Sequence, residues 1–223
     1  MMNKRLKQGS TFLLAVALTF PLLTLPGAKA ASAIDTNKEC SIQFDIGGSS
    51  ELLNDNVTVQ VNLYKVASVD ESGNYSVTDA FTGLDLSSVS ADNLDTAATT
   101  WADRAKTAQG KLTDSEGNTV INPTETVTLQ NGRGYKDKLK TGLYLVDTPK
   151  VITTNYTYTF TPYLVSLPTN NYYSSNGASD DWIYNLTKEY NSAVGLKPEQ
   201  HVRYGDLVIN KELVDHNATF GNN

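Results

Sequence analysis

The chain has 223 residues, of which 39% are hydrophobic and 19% are charged, as in an ordinary globular protein with one or two cores. Its first thirty residues differ from the rest, because a basic cluster at 4–7 precedes an apolar run at 12–25. Ala28 and Ala30 then supply the small residues of a cleavage site. This pattern predicts a secretory signal peptide over 1–30. An uncleaved membrane anchor is the less favoured alternative, because the apolar run is short.

The net charge argues against a nucleic-acid partner, and the cysteine content excludes an internal disulfide. Cleavage after Ala30 would remove four basic residues and no acidic ones, which leaves 14 basic and 24 acidic residues and a formal charge of −10. Such a surface repels nucleic acid, so we expect no nucleic-acid partner. Cys40 is the only cysteine, so the chain has no internal disulfide. We interpret Cys40 as a plain thiol near the start of a strand.

The first half of the mature chain shows the two-residue period of β-strands. A first strand over 40–46 has its apolar residues on one face, and a second alternating run begins at residue 57. Turn residues at 70–74 separate this run from a short one at 75–77, which predicts a β-hairpin. The residues before the first strand, 31–39, are polar, and we expect them to be loose.

From residue 90 the apolar residues recur at steps of three and four. This spacing predicts a helix near 91–109, with Ser90 capping its start and Gly110 following its end. Trp101 would seat this helix on a sheet edge, through core packing rather than ligand stacking. A further strand is expected at 126–129.

The closing block contains four runs rich in aromatic and β-branched residues, separated by Gly, Pro, Asn and Ser. After a chain break at 131–134, they predict four successive strands and hence the closing half of an antiparallel sandwich. Gly142, just before the first run, suits a turn with positive φ. The segment 188–199 has weak periodicity and is interpreted as a linker or an extended connection. The four runs lie at 143–146, 156–160, 163–167 and 182–186.

Several motifs follow the predicted signal peptide in order: S-I-Q-F-D-I, V-N-L-Y-K-V-A-S-V-D, the helix, T-G-L-Y-L-V, T-P-Y-L-V-S-L-P and W-I-Y-N-L-T-K. This order resembles the N-terminal domain of the sortase-assembled shaft pilins of Gram-positive bacteria. The motif G-D-L-V-I-N-K-E-L is similar to the first strand of the collagen-adhesin B-type domain that follows it in such pilins. The resemblance implies an all-β fold, an immunoglobulin-like antiparallel β-sandwich with one inserted helix, over 31–200. Residues 201–223 would begin a truncated second immunoglobulin-like domain.

The resemblance also implies which residues form covalent bonds. In that family a sortase joins the C-terminal Thr of one subunit to a lysine near the end of the next subunit's N-terminal domain. The reaction needs an accessible amine that loses its proton and attacks an acyl-enzyme. Lys188 stands at the implied position and Lys197 is its rival, although neither follows the Tyr-Pro pair usual in the family.

B-type domains of this family often form an internal bond between a lysine on the first strand and an asparagine on the last. Lys211 matches that lysine for the second domain, and its partners would lie beyond the given sequence. In the first domain Gln43 stands at the analogous position, so no such bond is expected there. Asp147 resembles the acid that assists this bond, and without the lysine it is interpreted as an ordinary acid at a strand end.

The function implied by the resemblance is a structural subunit of a covalently polymerised pilus on the cell wall. Its partners would be identical subunits and a sortase, with host surface ligands as further candidates. The alternative is a monomeric surface adhesin or a carbohydrate- or protein-binding module, in which the Tyr-rich loop at 172–177 contacts a ligand. We expect no enzyme, metal or cofactor, because His201 and His216 are the only histidines and no catalytic or metal-binding spacing is present.

Overall fold

The computed structural model describes residues 32–47, 51–91, 98–170, 182–187 and 194–204, which form mainly β-structure. Within these ranges one α-helix, α1, covers Ala98–Gln109, and two 3₁₀ helices cover Glu51–Leu53 and Asp79–Phe81. The strands are β1 (Cys40–Ile46), β2 (Val59–Val69), β3 (Tyr75–Val77), β4 (Glu125–Leu129), β5 (Arg133–Leu139), β6 (Gly142–Asp147), β7 (Val151–Ile152), β8 (Tyr156–Phe160), β9 (Tyr163–Leu167), β10 (Thr169–Asn170), β11 (Trp182–Ile183), β12 (Asn185–Leu186), β13 (Val194–Leu196) and β14 (Pro198–Val202).

The first sheet is centred on β1. Strand β5 pairs antiparallel with one edge of β1, and β12 and β13 pair in tandem with the other edge, both parallel to β1. The alternation in β1 places Ile42, Phe44 and Ile46 on the inner face, where none is more than 4% exposed. The predicted first strand and its buried face are therefore confirmed.

The second sheet is centred on β2. Strand β6 pairs with one edge of β2, while β4 and β3 pair in tandem with the other edge, and β9 extends the sheet beyond β6. The pairing of β2 with β3 confirms the predicted hairpin. All of Gly142 to Val146 in β6 are buried, because other layers cover both faces of this strand.

Two cores lie on opposite faces of the second sheet. The main core is enclosed between the two sheets and contains buried side chains of β1, β2, β4 and β6, together with Tyr158 of β8. On the other face, Leu143 and Leu145 pack against Ala105 and Ala108 of α1. This arrangement confirms the predicted immunoglobulin-like β-sandwich with one inserted helix.

The helix differs from its prediction at the amino-terminal end. Ser90 and Ala91 are not helical, 92–97 lie outside the described residues, and the described helix begins at Ala98. Trp101 is half-buried against the second core, which confirms its packing role. None of the helices in the described ranges has the length and apolar character needed to cross a bilayer.

Strand β5 is not predicted by the sequence pattern. Its seven residues include four charged ones and only two buried ones, so they lack the alternation of a typical strand. The signal is instead the preceding Asn131-Gly132, which forms a two-residue hairpin turn with φ of 50° and 75°. Gln130 and Arg133 exchange both backbone hydrogen bonds across this turn, at 2.8 and 3.0 Å. The expected chain break is therefore a tight turn that leads from β4 in the second sheet to β5 in the first.

The closing part of the chain is also more strand-like than predicted. The run 182–186 forms two short strands, of which β11 pairs with β10 and β12 pairs with β1. The segment interpreted as a linker contributes β13 to the first sheet and β14 to a small sheet with β8 and β7. The linker interpretation is therefore wrong for 194–199, whereas an extended connection is correct. Strand β14 continues to Val202.

Candidate functional site

The candidate lysines lie on the chain that passes along one edge of the first sheet. Strand β12 pairs with β1 up to Ile42, and β13 resumes the pairing at Phe44. One residue of β1 therefore separates the two pairings, whereas seven residues, 187–193, separate them on the neighbouring chain. A strand paired residue by residue would use one residue there, so this part of the sequence has six residues more than the pairing requires, and we call it the insertion. Lys188 belongs to this insertion and lies outside the described residues.

Lys197 lies where the chain passes from β13 to β14. The preceding Leu196 is 4% exposed and pairs with Ile46, and the following Pro198 pairs with Phe160. Lys197 itself is exposed. Strand pairing on both sides therefore restrains the backbone of Lys197.

Residues 32–38, here called the N-terminal strap, pack against the segment that precedes Lys188. The expectation of a loose amino-terminal segment is therefore wrong. Ile34 is only 1% exposed, and its N–H donates to the Glu71 carbonyl at 2.9 Å. Burial of this one aliphatic side chain outweighs the polar composition on which the expectation was based. Ile34 packs with Val69, Ala91, Tyr75 and Trp182.

Polar contacts join the strap to two aromatic side chains. The Asp35 N–H donates a hydrogen bond to Tyr184 Oη at 2.7 Å. The indole N–H of Trp182 donates to the carbonyl oxygen of Ser32. The ammonium of Lys38 lies 4.2 Å from the centroid of the Tyr184 ring, within the range of a cation–π interaction.

Tyr184 connects the strap to the main core. Its side chain belongs to the main core, and its carbonyl accepts a hydrogen bond from the Ser41 N–H at 2.9 Å. Burial raises the pKa of the phenol above its ordinary value. The hydroxyl is therefore neutral at physiological pH and accepts the Asp35 N–H without burying a charge.

Cys40, the first residue of β1, is a free thiol that is 1% exposed. Burial raises its pKa to about 12, so the reactive thiolate is scarce at neutral pH. This confirms the interpretation of Cys40 as a plain thiol. Lys65 of β2 is partly buried near it, and desolvation, followed by the charge of Lys140, lowers the pKa of Lys65.

Gln43 and Asp147 occupy the positions that the resemblance compares with an internal-bond site. Gln43 alternates with the core residues of β1, so it lies on the outer face of the first sheet, paired with Tyr135. Asp147 ends β6, and its Oδ1 accepts a hydrogen bond from Gln109 Nε2 at 2.6 Å. Asp147 thus connects β6 to the last residue of α1. Lys211 lies outside the described residues.

Of the two histidines, His201 lies within the described residues. His201 is exposed on β14, with its Nε2 3.3 Å from Thr159 Oγ1. In the described ranges no three His, Cys, Asp or Glu side chains group together as metal ligands. The loop at 172–177 and His216 both lie outside the described residues.

A polar cleft marks the end of the described chain. Arg203 closes it: its N–H donates to the Asn155 carbonyl at 2.9 Å and its guanidinium to the Thr153 carbonyl at 2.6 Å. Glu51 accepts hydrogen bonds from the side chains of Thr153 and Asn155, which lower its pKa, Thr153 more strongly. These contacts fix the end of β14 to the turn between β7 and β8.

The N-terminal strap is the feature that sequence reasoning missed. Ile34 is the only large aliphatic residue between 31 and 39, and this isolation is the signal for an anchored segment. Trp182 and Tyr184, two residues apart, could have been predicted as the residues that contact the strap, since both carry a polar group that needs a partner when buried.

The fold and the edge insertion define the class of the protein as an immunoglobulin-like β-sandwich domain with a helix over one sheet. No family model matches the chain, and no curated protein matches it.

Among solved structures, the chain is similar to the T6 backbone pilin of serotype M6 Streptococcus pyogenes. The identity is 14% and the TM-score 0.43, over 72% of this chain and 28% of that one. It is also similar to the full-length major pilin SpaD from Corynebacterium diphtheriae, at 18% identity and a TM-score of 0.36, over 75% and 31%.

A third similar structure is the SpaA pilin–signal peptide complex of Corynebacterium diphtheriae, at 17% identity and a TM-score of 0.33, over 71% of this chain and 95% of that one. The chain spans less than a third of the T6 and SpaD pilins. By name these proteins are pilins, the class that the sequence resembles.

Proposed function

We propose that this chain is the N-terminal part of a structural subunit of a covalently polymerised pilus on the cell surface. A sortase joins the subunits head to tail, through an amide bond between the C-terminal Thr of one subunit and Lys188 of the next. Lys197 is the alternative acceptor. Residues 1–30 direct export, and the residues that follow β14 and Arg203 begin the next domain.

The observation that carries this proposal is the insertion between β12 and β13. An acceptor lysine must extend its amine into the active site of another protein, so its backbone has to leave the sheet. The register of the first sheet allots seven residues, 187–193, to a stretch of β1 that is one residue long. Lys188 belongs to those residues, whereas Lys197 sits between two paired strands.

The chemistry needs little from the acceptor domain itself. The amine of Lys188 loses a proton in the enzyme site and attacks the carbonyl carbon of the acyl-enzyme. A new C–N bond forms, the acyl–enzyme bond breaks, and the enzyme nucleophile leaves. Because an ordinary lysine has a pKa of about 10.4, the base that removes the proton is supplied by the sortase.

The first prediction concerns the two lysines. Replacing Lys188 by Arg keeps the positive charge but removes a nucleophile, since the guanidinium is not deprotonated in proteins. We expect the Lys188→Arg variant to lose the ladder of covalent polymers that resists boiling in detergent. Immunoblots of cell-wall extracts from the native source, expressing each variant in place of the wild type, measure this ladder.

Lys197→Arg is the matched control and should leave the ladder intact. Loss of the ladder in Lys197→Arg alone would assign the acceptor role to Lys197. An unchanged ladder in both single variants and in the double variant would contradict the proposal. The monomeric adhesin would then become the leading account.

A further inference from the structure

The polar cleft beside the end of β14 has a volume of about 810 Å³. The 3₁₀ helix that begins at Glu51, the segment after that helix, and the turn between β7 and β8 form its walls. Arg203 adds a guanidinium from the residue that follows β14. This volume lies in the usual range of clefts that bind small molecules. The lining consists of Glu51, 54–57, 152–155 and Arg203.

Hydrogen bonds between the lining residues hold several polar side chains in place. Glu51 Oε1 accepts a hydrogen bond from Asn155 Nδ2 at 2.6 Å, and Glu51 Oε2 accepts one from Thr153 Oγ1. The Arg203 guanidinium donates to the Thr153 carbonyl at 2.6 Å. Side chains that are already restrained lose less conformational entropy when a ligand binds. The polar groups of the cleft are therefore preorganised.

These contacts leave hydrogen-bonding capacity for a ligand. Each carboxylate oxygen of Glu51 can accept a second hydrogen bond, and the guanidinium of Arg203 has N–H groups beyond the one that Thr153 accepts. In addition, three exposed side chains of the lining make no hydrogen bond or ion pair with other described residues. They are those of Asn54, Asp55 and Asn56.

The mixture of donors and acceptors indicates the class of ligand. The lining has two carboxylates, Glu51 and Asp55, and one guanidinium, which give it a formal charge of −1 and disfavour an anion. A divalent cation requires a shell of oxygen ligands, whereas here the N–H donors of Asn155 and Arg203 lie among the oxygens. A neutral ligand with several hydroxyl groups uses donors and acceptors side by side, so it fits this lining best.

Apolar side chains accompany the polar groups. Six large hydrophobic side chains are exposed in the described ranges, and four of them belong to segments that form or adjoin the cleft. Ile152 lines the cleft and is 56% exposed, and Tyr204, next to Arg203 in sequence, is 90% exposed. A sugar ring carries hydroxyl groups at its edge and C–H groups on its faces, so it suits this combination. The four residues are Leu53, Ile152, Val202 and Tyr204.

We propose that this cleft is a binding site for a neutral carbohydrate, in which Glu51, Asn155 and Arg203 bond to sugar hydroxyl groups and Tyr204 packs against a sugar ring. Glu51 accepts hydrogen bonds, Arg203 donates them, and the Asn155 amide does both. The inference is independent of the proposed function, because a pilus subunit and a single surface protein are both compatible with such a site. It places the ligand at residues other than the Tyr-rich loop at 172–177.

The test is a titration of the isotope-labelled mature chain, 31–223, followed by the NMR shifts of its backbone amides. The probes are the methyl glycosides of glucose, galactose, mannose, fucose, N-acetylglucosamine and N-acetylgalactosamine. We expect at least one of them to shift the amides of 51–57 and 152–155 saturably, with a Kd of about 1 mM, as for a small polar ligand. N-acetylneuraminic acid should bind about tenfold more weakly, because it brings a negative charge to the cleft.

Two variants test the assigned contacts. Glu51→Gln keeps the shape of the side chain but removes the charged acceptor, so we expect the Kd to rise about tenfold. Arg203→Lys keeps the charge but loses the planar set of donors, so the Kd should rise severalfold. Glu39→Gln is the matched control, since Glu39 is exposed and precedes β1, whereas Glu51 follows it, and it should keep the wild-type Kd. Unchanged amide shifts in β2 and β6 establish that each variant is folded.

The outcomes that overturn the inference are distinct from one another. The cleft is not a carbohydrate site if none of the neutral glycosides gives a saturable shift, or if both Glu51→Gln and Arg203→Lys keep the wild-type Kd. A shift confined to 172–177 would assign sugar binding to the Tyr-rich loop instead. Tighter binding of N-acetylneuraminic acid than of every neutral glycoside would overturn the assignment to a neutral ligand.

Discussion

At the scale of single residues, Gly142 shows how one backbone conformation sets the start of a buried strand. Its φ is 152°, in the region that favours glycine, and it precedes four buried residues of β6. A Cβ at this position would lie 2.4 Å from the carbonyl oxygen of Ala67 and 2.8 Å from Lys65 Cε. The prediction of a positive φ at Gly142 is confirmed, and the structure adds the close approach to β2.

We expect Gly142→Ala to lower the free energy of unfolding by about 3 kcal/mol, because backbone strain and the contact with β2 add together. Urea denaturation followed by circular dichroism measures this loss. Gly195→Ala is the control, since no atom lies within 4 Å of its added Cβ, and it should be neutral. Equal stability of the two variants would show that β2 and β6 can move apart without cost.

At the scale of elements, two turns have the same pattern of hydrogen bonds to an aspartate. Asp70-Glu-Ser-Gly-Asn74 follows β2, and Asp114-Ser-Glu-Gly-Asn118 follows the segment after α1. In each turn the aspartate Oδ1 accepts backbone N–H bonds two and four residues on, and Oδ2 accepts from the asparagine side chain. These bonds, the asparagine side chain first, lower the pKa of both aspartates below the ordinary value of 3.8.

The lowered pKa values predict a loss of stability in acid. A carboxyl whose pKa is lower in the folded state stabilises the fold above its unfolded pKa, and this contribution is lost as the pH falls through the folded pKa. We therefore expect the urea midpoint to fall as the pH drops below about 4.

The double variant Asp70→Asn with Asp114→Asn should show a smaller acid-induced drop and a lower midpoint at pH 6. Asp137→Asn, an exposed change of the same charge on β5, is the control and should retain the wild-type pH profile. A double variant with the full wild-type drop would show that the turns do not contribute to the acid sensitivity.

Elements with clear side-chain periodicity could be predicted from the sequence, and elements held by other forces could not. Strands β1, β2, β6, β8 and β9 alternate or are continuously apolar, because one or both faces are buried. Strand β5 is largely charged and depends on the turn before it, and β13 is too short to show a period. The strap is fixed by one aliphatic side chain and by bonds to residues distant in the sequence, so its only local signal is the isolated Ile34.

The candidate site was predictable only in part for the same reason. The sequence places Lys188 after a strand-like run, but it cannot show that β12 and β13 pair with neighbouring positions of β1. That register depends on contacts between residues about 145 to 150 positions apart. The number of residues between β12 and β13, on which the proposal for Lys188 rests, therefore acquires its meaning only from the register of the fold.

At the scale of the whole molecule, the path of the chain suits the proposed fibre. In that fibre, tension enters at Lys188 and leaves beyond residue 204, so it passes through β13 and β14. Arg203 and the contacts of Glu51 secure the far end of this path. The remaining strands of the two sheets and the helix lie outside this path.

The most direct test of the fibre is mass spectrometry of tryptic peptides from wall-attached, high-molecular-weight material of the native source. The account predicts a branched peptide in which the Lys188 side chain is joined by an amide bond to a C-terminal Thr. Recovery of the protein only as a monomer, with both Lys188 and Lys197 unmodified, would contradict the account and leave ligand binding by a single surface protein as the better explanation.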